Sequence, residues 1–260
     1  LARKKDGDYV VFAFGKTNAY RLNSSLGWET VTNTGGAYTG PPSGESWSCV
    51  QYGQYVVATN INDAVQVFDV ESDTDFSDLA GSPPAAKYVG IAAGCLVLGN
   101  LSTDPQSVRW SAVEDIGTWT LNEQGADIQA LPSGGPVLGF AGSERGAIIM
   151  QQDSWRLMTF MPGSQWVFSI QEPEPMGRSV IAPRSIIQNG SKIAYIAEDG
   201  FYELGAPSKP IGGERVDKTI LAGINLDRIN EVQGILDPVN KLYIWAVPSG
   251  LMQKPISSVS

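Results

Sequence analysis

The chain has 260 residues, 42% of them hydrophobic, with 29 glycines and 16 prolines, which suits a turn-rich fold with enough apolar surface for a core. It contains no histidine, and its 18 Lys+Arg stand against 27 Asp+Glu for a net charge of -9. That balance excludes Ser-His chemistry and His-based metal sites within the segment, and it argues against a basic nucleic-acid grip. No run approaches the roughly 18 apolar residues of a membrane span.

Read in chain order, the sequence repeats a hairpin in which an apolar strand turns at Gly or Asn-Gly and continues into a second apolar strand. A first copy sits at Gly7, ahead of the apolar run 9–14, and is followed by a third strand over 19–22. Gly15-Lys16-Thr17 lies between these strands; it lacks the upstream glycine of a phosphate loop, where Val10 stands, and reads as a hairpin turn. The second copy spans 47–59 about Gly53, with a third strand over 65–68. The third spans 87–98 about Gly94, with a third strand over 108–111. The fourth joins 137–140 to 147–150 about Gly142 and adds a strand over 155–158. The fifth spans 186–196 about Gly190 and adds 200–204; the sixth joins 232–236 to 242–245 about Asn240 and finds no further partner strand.

Turn glycines at 53, 94, 142 and 190 are 41, 48 and 48 residues apart, the spacing of propeller blades. The expectation is an all-β β-propeller of about six antiparallel blades over 1–250, closed by segments outside this chain, with 251–260 as a tail or linker. A chain beginning at Leu1 without Met reads as part of a longer protein.

Large aromatics supply much of the buried area of such blades, so Trp47, Trp110, Trp119, Trp155, Trp166 and Trp245 are expected as blade or hairpin anchors. Cys49 and Cys95 are expected as buried thiols on strands of neighbouring blades rather than a disulfide. The stretch 111–119 has Asp, Gly and Trp in an order close to the Asp-box turn of sialidase-type propellers, but Val113 and the early Trp119 break its register, leaving a structural turn. The acidic run 69–78 offers alternating oxygens to calcium, yet Asp78 replaces the sixth-place glycine of the helix-loop-helix site, so a solvated loop is the simpler reading. Glu144, Asp153, Glu172, Glu174 and Asp199 are the carboxylates left for glycosidase chemistry, which requires two of them about 5 to 9.5 Å apart. No catalytic residue, cofactor or metal ligand is assigned.

The ordered phrases 56–60, 79–88, 97–100, 108–111, 115–119, 151–157, 181–183, 198–202, 210–212 and 215–217 resemble a family of structural proteins of short-tailed bacteriophages, the tail nozzle or hub components below the portal and adaptor rings. The resemblance covers about 45–217 and implies a non-enzymatic virion protein with a propeller fold, assembled in the bacterial cytoplasm. It implies a homo-oligomeric, hexameric ring that retains and ejects the genome. Double-stranded DNA would pass through without sequence-specific binding, and the partners would be adaptor or portal and fibre or spike proteins. An acidic wall repels phosphate and suits such a conduit. The loops 69–78 and 171–178, with Asp69, Asp73, Asp75, Glu172 and Arg178, are the expected subunit contacts. A glycan-binding propeller and a carboxylate-dependent glycosidase on the same fold are the alternatives.

Overall fold

Runs of β-branched and aromatic residues between turn formers become strands, and the strands pair in the order in which they occur. The structure, a computed structural model, describes residues 1–164, 166–172, 178–205 and 207–248. The chain divides into two compact units, Leu1–Glu172 and Pro173–Ser260.

In the first unit, β1 (Ala2–Arg3) pairs with β2 (Tyr9–Val10) about Gly7, while β3 (Phe12–Phe14), β4 (Ala19–Leu22) and β5 (Trp28–Thr30) form a three-stranded sheet. Only Val11 separates β2 from β3, and its carbonyl accepts the Leu22 N–H at 2.9 Å, so one bent strand serves both sheets and completes a blade of four strand positions. Three uninterrupted four-stranded antiparallel sheets follow. They are β6 (Ser48–Tyr52) to β9 (Ser77–Asp78) through β7 (Tyr55–Thr59) and β8 (Gln66–Asp69); β10 (Ala86–Ala92) to β13 (Asp127–Ala130) through β11 (Cys95–Leu101) and β12 (Ser107–Trp110); and β14 (Val137–Ser143) to β17 (Phe168–Gln171) through β15 (Gly146–Gln151) and β16 (Trp155–Phe160).

The second unit holds β18 (Ile187–Asn189), β19 (Lys192–Ala197), β20 (Gly200–Glu203) and β21 (Lys209–Pro210) as a fourth such sheet. After it come a short helix α1 (Glu214–Leu221), a 3-10 turn over Leu226–Glu231, and the hairpin of β22 (Gln233–Asp237) and β23 (Leu242–Ala246). Sequence-ordered four-stranded antiparallel sheets are propeller blades, and the chain is an all-β propeller protein with five blades and two strands of a sixth among the described residues. The tail 251–260 lies outside them.

One turn and one buried thiol need correction. Gly142 lies inside β14, and the hairpin turns between Ser143 and Gly146. A Cβ on Gly142 would fall 1.7 Å from the Ile91 carbonyl, so this glycine serves the close approach of β14 to β10 rather than a bend. Cys49, expected buried, points outward from β6, while Cys95 is fully enclosed.

The first unit has no single central core; apolar residues fill the spaces between successive blades. Between the first two, Phe12, Phe14, Trp47, Phe68 and Phe76 meet edge to face or tilted, with ring centroids 5.0–5.5 Å apart. Phe68 and Phe76 are almost wholly enclosed, and such ring pairs add about 0.5–1.5 kcal/mol beyond area burial. Between the third and fourth blades, Phe140 slots against Gly90 and Gly99: a Cβ on Gly99 would meet the ring at 2.5 Å. Inner strands also exchange polar bonds, as Thr59 Oγ1 donates to the Ala86 carbonyl at 2.8 Å and the Ala93 N–H to the Ser143 carbonyl at 2.9 Å.

Candidate functional site

Three buried side-chain amides sit at or near the ends of second strands. Asn60 just beyond β7, Asn100 in β11 and Gln151 closing β15 are 1%, 6% and 0% exposed. Each amide ties its strand end to a connecting segment. Asn60 Nδ2 donates to Asp63 Oδ2 at 2.9 Å, and that carboxylate also takes the Thr39 and Gly40 N–H groups. Asn100 Nδ2 donates to the Val137 carbonyl at 2.9 Å, the first residue of the next blade. Its φ of 56° is left-handed, a conformation Asn tolerates better than most residues. Gln151 Nε2 donates to the Ser133 and Gly135 carbonyls at 2.9 and 2.7 Å.

Gln151 belongs to a larger knot. Arg156, 8% exposed on β16, donates from Nε to Gln151 Oε1 at 2.7 Å and from Nη2 to Ser133 and to Glu172 Oε2, the last at 3.1 Å. A buried guanidinium is tolerated because a carboxylate and three neutral acceptors surround it. Glu172, expected above as a subunit contact on the loop 171–178, is thus ion-paired within the fourth blade while remaining partly exposed. None of these amides was singled out from the sequence, although each closes an apolar strand, as in Val97-Leu98-Gly99-Asn100 and Ile148-Ile149-Met150-Gln151.

The tryptophans divide by burial. Trp47 donates to the Gly15 carbonyl at 3.0 Å, which fastens the Gly15-Lys16-Thr17 turn beneath the second blade's entry. Trp110 donates to the Gly125 carbonyl at 2.8 Å and stands edge-on to Phe168. Trp119 donates to Ile116, and its own carbonyl accepts Arg109 Nη2 at 2.6 Å. Trp155 is buried, with no hydrogen-bond partner for Nε1 among the described residues. In the second unit Trp245 donates to the Ser185 carbonyl at 2.8 Å and lies against Phe201. Trp166 is 61% exposed and anchors nothing, because it occupies the turn between β16 and β17.

The carboxylates of the acidic run accept hydrogen bonds from neighbouring groups, Asp75 from Thr74 Oγ1 at 2.9 Å. Asp69 accepts from the Glu71 N–H and Gln54 Nε2, Asp73 from the Asp69 N–H, and Asp78 from Asn33 Nδ2 and Gln66 Nε2. Burial alone would raise the Asp69 pKa, but these donors and that of Ser72 outweigh it and lower it. Asp115 accepts Thr118 Oγ1 at 2.7 Å and the Gly117 N–H at 2.8 Å, which hold its carboxyl below the usual range and lock the turn that buries Trp119. The displaced carboxylates Asp69, Asp115, Glu231 and Asp237 all move downward, the direction opposite to that of a general acid.

The glycosidase candidates do not converge. Glu144 and Asp153 occupy turns at opposite ends of the six-residue strand β15, which spans roughly 20 Å. Glu172 is neutralised by Arg156, and Asp199 pairs with Arg178 at 2.9 Å on the surface of the second unit. Glu174 lies outside the described residues, as does most of the loop 171–178. Among the described residues no three His, Cys, Asp or Glu side chains gather to hold a metal, and no helix is long and apolar enough to cross a membrane. In the second unit the phrases 198–202, 210–212 and 215–217 meet at Asp217, which is 6% exposed and leaves no room for a side chain at Gly200 or Gly212.

No family model matches the chain, and no curated protein matches it. Among solved structures it is similar to the N-terminal domain of Nup159, at 12% identity and a TM-score of 0.46 over 79% of this chain and 60% of that one. It is similar to YCF48 bound to D1 peptide, at 12% identity and a TM-score of 0.44 over 88% and 67% of the two chains. It is also similar to Hsv2 of Kluyveromyces lactis, at 9% identity and a TM-score of 0.42 over 92% and 84%. The chain spans less than two thirds of the Nup159 domain, and likenesses this distant carry no argument about function.

Proposed function

We propose that this chain is a structural propeller of a short-tailed phage tail, a nozzle or hub component whose work is done by packing and surface charge rather than by a reactive centre. The observation that carries the reading is where the family-like phrases fall. Asn60 and Asn100 tie strand ends to neighbouring segments, while Gln151, Arg156, the Asp115 turn and Asp217 brace turns and packing within their own units. In this reading the residues that carry the resemblance serve rigidity. Charge supports it as well: the first unit holds nine basic and eighteen acidic residues and the second nine of each, so the whole net charge belongs to the first. An acidic surface lets a passing duplex slide without adhering.

In this reading the protein acts as a homo-oligomeric ring in the virion, contacting adaptor or portal and fibre or spike proteins. Light scattering with negative-stain electron microscopy tests it. Rings with a duplex-wide axial opening are expected, alone or on neighbouring tail proteins, and a particle that never forms a ring nor docks would overturn it. A glycan-binding reading is favoured by one observation, the exposure of Trp28 and Trp166 as stacking surfaces. Sugar-array binding lost in the Trp28→Ala and Trp166→Ala variants would move it to the front.

A further inference from the structure

The turn of the fifth hairpin holds the chain's only Asn-Gly pair, Asn189-Gly190. Asn189 ends β18 opposite Lys192, so Gly190 and Ser191 make a two-residue turn, with Gly190 at a left-handed φ of 61°. Asn189, Gly190, Ser191 and Lys192 are all exposed.

A side-chain carboxamide can close on the main-chain nitrogen that follows it. That chemistry needs a nitrogen without an acceptor, open space around it, and a carboxamide that is not tied elsewhere. The turn supplies all three. The Gly190 N–H has no hydrogen-bond acceptor among the described residues. A Cβ at Gly190 would meet nothing within 4 Å, so no side chain of its own or of a neighbour crowds the nitrogen. No hydrogen bond holds the Asn189 carboxamide among the described residues. Other turn asparagines are held: Asn23 Oδ1 accepts the Ser25 and Gly27 N–H groups at 3.0 and 2.9 Å, and Asn240 Nδ2 donates to Asp237 Oδ2 at 2.7 Å. Both also precede residues with side chains, Ser24 and Lys241.

We propose that Asn189 is a self-modifying site, whose carboxamide is lost through a cyclic imide formed with Gly190. The Gly190 nitrogen attacks Asn189 Cγ; the N–Cγ bond forms, the Cγ–Nδ2 bond breaks, and Nδ2 leaves as ammonia with the proton given up by the main-chain nitrogen. Water then opens the ring, giving aspartate by attack at Cγ or isoaspartate by attack at the main-chain carbonyl of residue 189. Nothing is oxidised or reduced, and water is the only co-reactant. Either product adds a negative charge to a second unit in which nine basic residues balance nine acidic ones. Isoaspartate also lengthens the main chain by one carbon beside the turn that sets Ile187 opposite Ala194 and Gln188 opposite Ile193. The age of the molecule thus writes itself into this hairpin. The site stands on the hairpin alone and is independent of the tail reading.

Incubation of the 260-residue chain in mildly alkaline buffer, native and in urea, tests it, with peptide mapping by mass spectrometry and an enzymatic assay for isoaspartate. The peptide containing residue 189 should exchange an amide NH2 for a hydroxyl before any other asparagine does, with isoaspartate among the products. Its native rate should lie within about tenfold of its rate in urea, a barrier difference under about 1.4 kcal/mol. Asn189→Gln, which must close a larger ring without disturbing the turn glycine, should slow the loss about tenfold or more. A native rate more than about tenfold below the rate in urea overturns the proposal, because the folded turn would then withhold the carboxamide. Aspartate without isoaspartate overturns the cyclic route, and earlier loss at another asparagine overturns the choice of site.

Discussion

Replacing Gln151 by Leu keeps the volume of a fully buried side chain but strips every hydrogen bond from it. The Ser133 and Gly135 carbonyls lose their amide donor, and Arg156 Nε loses its acceptor. The Ser133 carbonyl keeps Arg156 Nη2 at 3.2 Å, so the Gly135 carbonyl and Arg156 Nε are the stranded groups; at about 1–3 kcal/mol each, the charged one at the upper end, the variant should lose about 2–6 kcal/mol. For a chain of this size that is a fall of roughly 4–12 °C in melting temperature. The assay is urea unfolding followed by tryptophan fluorescence, with Arg156→Met and the double variant completing a cycle. Because the two side chains share one knot, the double variant should lose less than the sum of the singles by about 1.5–3 kcal/mol. A loss below about 1 kcal/mol for Gln151→Leu, or strict additivity, would refute the view that this amide holds the blade joint.

Gly142→Ala should cost about 1–3 kcal/mol or prevent folding, because its methyl would meet the Ile91 carbonyl, while Gly213→Ala, with nothing within 4 Å, stays near neutral; thermal melts of the pair decide it. The Asp115 pKa is lowered in the folded chain from 3.8, so its contribution is present above that pH and lost as pH falls through the folded value. The stability gap between wild type and Asp115→Asn should therefore narrow below about pH 4, measured by urea titrations from pH 6 to 2.5. Burial pushes the Cys95 thiol up to about 12, while Cys49 is exposed, so a disulfide reagent at pH 8 should label one thiol in the native protein and both in denaturant. Equal labelling rates would place Cys95 outside the core.

The strands that combine apolar runs with a neighbouring glycine turn are the ones legible in the sequence. β7, β11, β15 and β19 fall where Val, Ile and Leu cluster, and the third strands β8, β12, β16 and β20 follow within a residue or two of their expected positions. The closing strands were not read, since Ser77–Asp78 and Lys209–Pro210 owe their pairing to the blade beside them rather than to any pattern of their own. Gly142 misled because a glycine cleared for a neighbouring backbone is indistinguishable in sequence from a glycine at a bend. The helix α1 and the 3-10 turn before β22 occupy a polar stretch with no strand-like periodicity. The buried amides escaped because Asn and Gln at a strand end read as the start of a loop, and only the packing of the following segment shows that they are enclosed.

Because the apolar clusters lie between sheets, every interior sheet of the first unit is a wall for two compartments at once. A change in such a sheet can reach both compartments, and this extends to the closing strand β17, whose Phe168 packs against Trp110 of the preceding blade. Relatives of this chain should accordingly gain or lose length in whole-sheet steps of about forty to fifty residues, since a partial step would leave one compartment with a single wall.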